Sequence, residues 1–251
     1  MDPSILIAVV IGAIVYLIWK LYRGGIFDDV KVSVVEKPPY VSNSLTVYYK
    51  HNIGSYHRMN KSYKEVVSLL PANATCFAIY YDDPEKVPSS FLQSAVGVVF
   101  GQDGKDFYTP NYSEQLIRWG YERMVLPAVD RAIVATHKYD GWFSIFGLTT
   151  FTYPKIRNFM LANRVNAHPF IEFYHGDEVT VVGLLDHCEE YAIDQLLTLD
   201  QVKAKLARRK WDSDSESESR SDTEPEGMLD DASEDEADDG DQIKLEEPSK
   251  E

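Results

Sequence analysis

The sequence contains few of the residues that build disulfide-stapled or metal-bound domains. Among its 251 residues there are two cysteines, Cys76 and Cys188, and six scattered histidines. Two cysteines so far apart predict neither a disulfide framework nor a zinc site. Their scarcity agrees with a reducing compartment such as the cytosol. We therefore expect no bound metal and no cofactor.

The sequence also lacks the motifs of the common enzyme and nucleic-acid-binding classes. It has no glycine-rich phosphate loop, no nucleophile elbow and no pair of histidines spaced i, i+4. It has no basic patch interleaved with aromatic residues, so direct binding of nucleic acid is not expected. Glu172 could serve as a general base, but catalysis would need a positioned partner, and the sequence identifies none. We expect a protein that is not an enzyme.

The acidic excess is confined to the end of the chain. Residues 211–251 hold 18 Asp or Glu and 3 Lys or Arg, which leaves 22 of each sign in residues 1–210. The whole net charge of −15 therefore lies in the tail. Residues 212–251 cannot bury enough apolar surface to offset the entropy of ordering the chain. We predict a disordered acidic tail over 211–251.

What the sequence does have is a long hydrophobic run near its beginning. Ile5 to Trp19 contains no charged residue, and with its flanks the run reaches the ~20 residues that cross a ~30 Å hydrocarbon layer. We predict a membrane anchor over residues 1–23. The alternative is a buried helix of a soluble protein, which rarely has so long an uncharged run. The predicted anchor positions are Ile5, Val10, Ile14 and Trp19.

The residues beside this run predict its orientation. Asp2 precedes the run, and the bases Lys20 and Arg23 follow it, an order that disfavours a cleaved signal peptide. Positive charge marks the cytoplasmic side, so the N-terminus should face the lumen or exterior and the rest of the chain the cytosol. The Asn-x-Ser/Thr sequons argue weakly for the opposite topology. They begin at Asn60, Asn73 and Asn111.

Residues 24–190 contain the same order of elements twice. The first unit has strand patterns at 44–49, 75–81 and 93–100 with a one-faced helix at 63–70 after the first strand. The second has strand material within 122–137, a helix that Thr152 and Pro154 begin, and strands at 170–175 and 179–185. A strand at 26–35 and a short helix at 113–119 complete the domain. The pattern predicts an α+β domain of two pseudo-symmetric βαββ units.

The third strand of each unit suggests a binding surface. Side chains alternate across a strand, so Phe77, Ile79 and Tyr81 share one face, and Phe170, Glu172 and Tyr174 share the equivalent face. The opposite faces carry Tyr80, Ile171 and Phe173. If helices cover one face of each half-sheet, the remaining faces can oppose each other and form an aromatic cleft with one carboxylate, that of Glu172.

Several phrases in these strands resemble a known domain. Thr46-Val-Tyr-Tyr-Lys, Ala78-Ile-Tyr-Tyr-Asp-Asp-Pro and Pro169-Phe-Ile-Glu-Phe-Tyr resemble the gyrase-inhibitor-like (GyrI-like, SOUL-type) fold. With the anchor before them and the acidic tail after them, the chain resembles the testis-expressed protein 264 family over about residues 3–190. That resemblance implies a protein of the endoplasmic-reticulum membrane with a cytosolic domain, acting in selective autophagy of that membrane (reticulophagy) and as an adaptor for the p97 segregase.

The resemblance also implies a ligand site. GyrI-like domains often bind small molecules with a pocket glutamate, and Glu172 matches that position. The candidate pocket is Glu172, Tyr174, Phe170, Tyr81, Ile79 and Phe77. The leading hypothesis is a non-enzymatic membrane adaptor or receptor. The alternative is a membrane-tethered protein that binds a hydrophobic cation or a haem-like molecule.

The ATG8-type motif that the family uses is not evident in the tail. ATG8-type autophagy proteins bind an aromatic-x-x-aliphatic segment in acidic surroundings, and the tail's only aromatic residue, Trp211, is followed three positions later by Asp214. Trp142 to Ile145 and Tyr153 to Ile156 match by letter, but we expect both to be core. A p97-type motif is likewise not evident at 21–27.

The last part of the chain supplies further candidate sites. We predict a basic amphipathic helix or linker over 191–210, capped by Thr198 and able to rest on anionic lipid or to remain solvated. Ile243 and Leu245 form an aliphatic island that could add a strand to a ubiquitin-like partner, or be a chance triplet. Residues with an acid three positions later suit acidophilic kinases. These candidate phosphosites are Ser213, Ser215, Ser219, Ser221, Thr223 and Ser233.

Overall fold

A computed structural model describes residues 3–218, without the side chains of His57, Arg58, Asn60 and residues 209–218. The described chain divides into two units, residues 3–205 and the start of a second unit at 206–218. The first unit is a mixed α+β domain preceded by an apolar helix. The second is helical over its described part. The predicted sites at Ser219, Ser221, Thr223, Ser233, Ile243 and Leu245 lie outside the described residues.

The described part of the chain contains six α-helices and nine β-strands. The helices are α1 Pro3–Arg23, α2 Asn60–Ser68, α3 Pro110–Arg118, α4 Trp142–Gly147, α5 Tyr153–Asn163 and α6 Leu199–Glu218. The strands are β1 Val32–Glu36, β2 Leu45–Ile53, β3 Cys76–Tyr80, β4 Gln93–Gln102, β5 Lys105–Asp106, β6 Glu122–Leu126, β7 Arg131–Lys138, β8 Phe170–His175 and β9 Glu178–Leu184.

All nine described strands belong to one antiparallel sheet. Its order is β1-β7-β9-β8-β3-β4-β2-β6, and the short β5 pairs with β4. The two predicted strand–helix–strand–strand runs are present in chain order, β2-α2-β3-β4 and β7-α4-α5-β8-β9. They meet at the centre of the sheet, where β3 pairs with β8 and Ala78 lies opposite Glu172.

Both faces of the sheet are covered. On one face the helices pack onto the strands, with Leu116 of α3 and Ile156 of α5 in a core that includes Phe100 and Val181. On the other face Phe77, Ile79 and Phe173 pack under Val41, Tyr191 and Ile193 from the segments before β2 and after β9. The large buried apolar area on both faces is what stabilises the domain.

The N-terminal helix α1 differs from the others because it buries no residue. It is 21 residues long, and it is the one helix in the described chain that is long and apolar enough to cross a membrane. Lys20 and Arg23 lie in its last turn, where cations interact favourably with the helix dipole.

The segment that joins α1 to β1 is a folded turn. Gly24 donates its N–H to Lys20 at 2.8 Å, and Gly25 has φ = +71°, a conformation that glycine adopts without strain. The predicted strand at 26–35 therefore begins only at Val32. Asp28 pairs instead with Lys138 at 2.9 Å, which holds residues 24–28 against the end of β7.

A continuous helical run from Trp142 to Asn163 replaces the helix that was predicted to begin at Thr152. A π-helical segment, Leu148–Thr152, joins α4 to α5, and Thr152 itself is helical with φ −75° and ψ −48°. The Thr152 hydroxyl does not cap a helix because it lies against His137. Trp142 was predicted to be core, yet it is 71% exposed, whereas Ile156 is buried as predicted.

Helix α6 begins with the predicted cap. Thr198 Oγ1 accepts the N–H of Gln201 at 3.4 Å, and Gln201 Oε1 accepts the N–H of Thr198 at 2.9 Å, which together form a capping box. Val202 buries its side chain fully. The helix continues to Glu218, so residues 212–218 are helical rather than disordered.

Candidate functional site

The candidate site is built around Glu172, a carboxylate in the middle of the sheet. Glu172 lies on β8, between β3 and β9, and is 3% exposed. Ala78 on β3 and Val181 on β9 flank it directly. The small side chain of Ala78 leaves space on this face for longer side chains to reach the carboxylate.

Three tyrosine hydroxyls donate hydrogen bonds to this carboxylate. Tyr80 and Tyr174 each donate to Oε2 at 2.5 Å, and Tyr153 donates to Oε1 at 2.6 Å. Hydrogen bonds to an ionised acceptor are shorter and stronger than neutral ones. The hydroxyls therefore supply to Glu172 what water would supply at the surface.

The sequence places each tyrosine by a different rule. Tyr174 lies two residues after Glu172 on β8 and so points to the same face. Tyr80 lies opposite Phe170, which makes it a diagonal neighbour of Glu172 across the β3–β8 pair. Tyr153 is the first residue of α5 and reaches the carboxylate from the helix layer. The site therefore needs both sheet halves and a helix.

Further aromatic rings surround these three. Tyr63 and Tyr139 each have their ring centroid 5.2 Å from that of Tyr174, and Tyr56 packs edge-on to Tyr80 at 4.7 Å. Phe170 lies on the same face, with its ring 6.0 Å from that of Tyr153. Several of these residues are only partly buried, so the cluster extends to the surface: Tyr56, Tyr63, Tyr80, Tyr139 and Tyr153.

The electrostatics of the site follow from burial. Burial raises the pKa of Glu172, and the hydrogen bonds from Tyr153, Tyr174 and Tyr80 oppose that rise. Burial and the adjacent carboxylate raise the pKa values of Tyr80, Tyr153 and Tyr174 well above the ordinary value for tyrosine. The hydroxyls therefore remain protonated donors at neutral pH.

No base pairs with this acid in the described part of the chain. Neither an ion pair nor a nearby lysine, arginine or histidine acts on Glu172. A buried carboxylate without a paired base attracts a cation, and aromatic rings nearby can add to that attraction. The site does not resemble a metal centre, since no group of three His, Cys, Asp or Glu among the described residues could hold a metal ion.

The predicted grouping of faces is corrected by the register of the sheet. Phe77 lies opposite Phe173, and Ile79 lies opposite Ile171, so these four residues share the face that Glu172 does not occupy. Tyr81 follows them there and donates its hydroxyl to the Tyr191 carbonyl at 2.9 Å. Phe77, Ile79 and Tyr81 therefore do not line a pocket with Glu172, whereas Phe170 and Tyr174 do lie beside it. The predicted cleft was assigned to the uncovered face, but Glu172 lies under the helices.

Sequence reasoning missed the tyrosines that complete the site. Tyr80 was assigned to the face opposite Glu172, and Tyr153 was predicted to be core without a role. The signal that would have identified Tyr80 is antiparallel pairing of the two third strands. In that arrangement, residues facing each other across the pair share a face, which joins Tyr80 to Phe170 and Glu172.

Solved structures offer only distant similarity. No family model matches the chain. The EcmrR–DNA complex is 15% identical, with 62% of this chain and 57% of that chain covered and a TM-score of 0.41. An uncharacterised conserved protein from Listeria innocua is 8% identical, with 61% and 91% covered and a TM-score of 0.39. At these TM-scores the similarity supports no statement about function.

Two curated relatives are similar in sequence. The testis-expressed protein 264 homolog of Mus musculus is 25% identical over 183 residues, which cover 73% of this chain and 58% of that protein. Testis-expressed protein 264 of Homo sapiens is 26% identical over 155 residues, which cover 62% and 48%. The chain thus spans about half the length of the relatives it matches. Over that span the similarity to both relatives supports an assignment to the testis-expressed protein 264 family.

Proposed function

We propose that the protein is a single-pass protein of the endoplasmic-reticulum membrane whose domain acts as a cytosolic adaptor or receptor. The observation that carries this proposal is α1, an apolar helix without a buried residue whose basic end is tied to the domain. Lys20 and Arg23 lie 3.5 and 3.4 Å from Asp140 Oδ2. Without a membrane around it, a helix of this kind would expose its hydrophobic surface to water.

The charge beside the apolar helix supports a cytosolic domain. The bases Lys20 and Arg23 flank only the domain side of the apolar segment, and such bases remain on the cytoplasmic side. The domain and the acidic tail would then face the cytosol, where a long negatively charged segment can reach soluble machinery.

We further infer that the domain is GyrI-like, with two pseudo-symmetric βαββ units. What supports this is the strand order, in which β7-β9-β8 and β2-β4-β3 approach the central β3–β8 pair from opposite sides. Each unit places its helix between the first two of its strands in chain order. A duplicated unit would explain why similar aromatic phrases occur on β3 and β8.

The cellular role is inferred from the family resemblance. We propose that the protein takes part in selective autophagy of the endoplasmic reticulum and in p97-linked processes, and that the tail recruits ATG8-type proteins or another ubiquitin-like partner. Trp142 to Ile145 and Tyr153 to Ile156, which match the aromatic-x-x-aliphatic pattern by letter, are helical and so are not available to add a strand to a partner. We assign the recruiting role to residues 219–251, which contain the aliphatic island of Ile243 and Leu245.

Glycan mapping tests the topology. Asn73 and Asn111 are exposed sequons, so they would be modified if the domain faced the lumen. We expect the native chain, expressed in cells, to show no mobility change on endoglycosidase treatment. A version with a sequon added before Pro3 by a short N-terminal extension is the positive control. Glycan on Asn73 or Asn111 would reverse the proposed orientation.

Proximity labelling tests the adaptor role. A proximity-labelling ligase is fused to the chain after residue 218. In one version it replaces residues 219–251, and in the other it is inserted before them. We expect autophagy proteins among the labelled cytosolic neighbours only when residues 219–251 are present. An identical set of neighbours in both versions would remove the basis for a recruiting tail.

The Glu172 cluster supports a second candidate function, the binding of a hydrophobic cation. The specific observation is a buried carboxylate with three hydroxyl donors and no paired base among the described residues. We expect the full chain in detergent to bind tetraphenylphosphonium, and Glu172→Gln to lose that binding while remaining folded by circular dichroism. Glu178→Gln, an exposed acid on β9, is the matched control. Equal binding by all three proteins would reject this function.

A further inference from the structure

The first helix after β7 carries exposed aromatic side chains next to the end of the apolar helix. We propose that Trp142 and Phe146 on α4 lie in the interfacial layer of the membrane that α1 crosses, so that the domain rests on the bilayer in one orientation. This inference depends on the proposed anchoring by α1. It adds a second membrane contact, made by α4, that the sequence of α1 does not predict.

The start of α4 lies at the depth of the basic end of α1. Asp140, just before α4, lies within 3.5 Å of both Lys20 and Arg23. Gly24 is so close to Phe143 that a Cβ on the glycine would lie 3.3 Å from the phenylalanine Cβ. Because Lys20 and Arg23 mark where the apolar segment ends, the first turn of α4 lies at the level of the lipid headgroups.

The side chains there have the character of interfacial residues. Trp142 is 71% exposed and Phe146 is 44% exposed. Their spacing of four positions puts them on one side of the helix, and their rings stack with centroids 6.0 Å apart. Trp and Tyr are enriched at membrane interfaces because an apolar ring and a polar tip suit that layer. Trp19 and Tyr22 of α1 already provide such side chains at the same level.

Charge near this patch does not oppose contact with lipid. The three acids on the segments between α1 and β1 and between β7 and α4 are each paired with a base. Asp140 faces Lys20 and Arg23, Asp28 contacts Lys138 at 2.9 Å, and Asp29 contacts Lys155 at 2.9 Å. The carboxylates are thus neutralised before they meet an anionic headgroup, whose negative potential attracts bases and repels acids.

The patch of Trp142 and Phe146 is continuous with the apolar surface of α1, which favours a bilayer over a protein as its occupant. Trp142 and Phe146 extend the surface of a helix that already presents apolar side chains on every side. A protein partner at this position would have to exclude the lipid that surrounds the adjacent end of α1. A lipid surface needs no such displacement.

Quenching of tryptophan fluorescence tests the inference in the full chain. The sequence has four tryptophans, at 19, 119, 142 and 211. Three proteins each retain one of Trp19, Trp119 or Trp142, with the others changed to Phe. Each is reconstituted in vesicles of phosphatidylcholine and phosphatidylserine, with or without bromine on the acyl chains. We expect Trp142 to lose fluorescence in brominated vesicles and to emit at shorter wavelength than in detergent.

The other two proteins separate the possible failures. Trp119 is 52% exposed at the end of α3, so it is a matched exposed tryptophan and should not be quenched. Trp19 reports the anchor. Quenching of Trp19 without quenching of Trp142 would overturn the interfacial contact and leave the anchor intact. A Trp19 that is not quenched would overturn both, and equal quenching of Trp119 and Trp142 would reject the single orientation.

Discussion

His137 Nε2 lies 3.1 Å from the carbonyl oxygen of Gly24, the first residue after the apolar helix. A carbonyl can only accept, so Nε2 carries a proton, and Nδ1 lies 3.3 Å from the Thr152 hydroxyl, which can donate to it. Burial lowers the pKa of His137 and so favours the neutral ring. A Cβ on Gly147 would come within 3.1 Å of His137 Nε2, so the glycine is what lets the π-helical run approach.

This geometry predicts a loss of stability in acid. Burial lowers the pKa of His137 below its ordinary value of 6.5, against the opposing effects of the Gly24 carbonyl and Asp28, while Lys138 lowers it further. As pH falls through 6.5 the unfolded chain takes up a proton that the folded chain does not, so the free energy of unfolding decreases. We expect the contribution of His137 to the free energy of unfolding to be constant above pH 6.5. Below pH 6.5 it should fall by at most about 1.4 kcal/mol per pH unit.

The measurement is urea unfolding of the full chain in detergent between about pH 7.5 and about pH 5. This range spans the ordinary pKa of histidine. His137→Gln should show a shallower dependence on pH than the native protein. His175→Gln, an exposed histidine beside Thr75, is the control and should keep the native slope. His51 contributes in the same direction as His137, because burial lowers its pKa too, and it is present in every variant. Equal slopes for His137→Gln and His175→Gln would refute the assignment.

Removal of one donor from the Glu172 cluster should destabilise the domain. Tyr153→Phe deletes the hydroxyl that donates to Oε1 and leaves that oxygen buried without its partner. Hydrogen bonds to charged groups contribute about 1.5–3 kcal/mol, and we expect a loss in this range from denaturant unfolding. The control is Tyr112→Phe, since no hydrogen bond from the Tyr112 hydroxyl occurs among the described residues. If Tyr153→Phe lowered the free energy of unfolding by less than Tyr112→Phe does, Glu172 Oε1 would have found another donor.

Gly97 should be the most sensitive glycine of the sheet. A Cβ there would lie 1.9 Å from the Tyr48 carbonyl oxygen and 2.8 Å from the Tyr49 Cα, which are backbone atoms that cannot move aside. We expect Gly97→Ala to cost more than about 3 kcal/mol or to prevent folding. At Gly183 the first contact is the Phe170 ring at 2.6 Å, which can rotate, so Gly183→Ala should cost less. Expression and thermal melting compare the two, and equal losses would contradict the argument.

Asp140→Asn should loosen the junction without unfolding the domain. It removes the attraction to Lys20 and Arg23, and partly exposed ion pairs contribute about 1 kcal/mol or less. We expect faster amide hydrogen exchange at 24–26 and little change in unfolding free energy. Asp177→Asn, an exposed acid in the β8–β9 turn, is the control and should leave exchange at 24–26 unchanged. Protection that persists in Asp140→Asn would show that the Gly24–His137 contact and the Asp28–Lys138 pair hold the turn without Asp140.

Local patterns predicted the elements well where local forces decide them. The strands around Leu45, Cys76 and Gln93 and the cap at Thr198 were predicted because β-branched runs, turn residues and caps act within a few residues. The join between α4 and α5 was not, since Thr152 and Pro154 are typical of a helix start. Here the π-helical segment Leu148–Thr152 leads directly into α5, whose first turn contains Pro154, and Thr152 contacts His137 instead.

The face of each strand was harder to predict than the strand itself. Alternation places Glu172 and Tyr174 together, but it does not say which residues of β3 join them. That depends on pairing between positions 92 residues apart, such as Tyr80 and Glu172. Trp142 illustrates a second limit, because sequence pattern assigns a large apolar side chain to the core, whereas this one is 71% exposed.

The hydrogen bond between His137 and the Gly24 carbonyl affects how the domain would respond to a pulling force. Asp28 and Gly24 are held to the end of β7, and β1 pairs with β7 from Val32 onward at the edge of the sheet. If α1 is anchored in a membrane as proposed, a force applied to it would reach the end of the inner strand β7 before it reaches the edge strand β1. The contacts of Gly24 with His137 and of Asp28 with Lys138 would have to break before β1 could separate from β7.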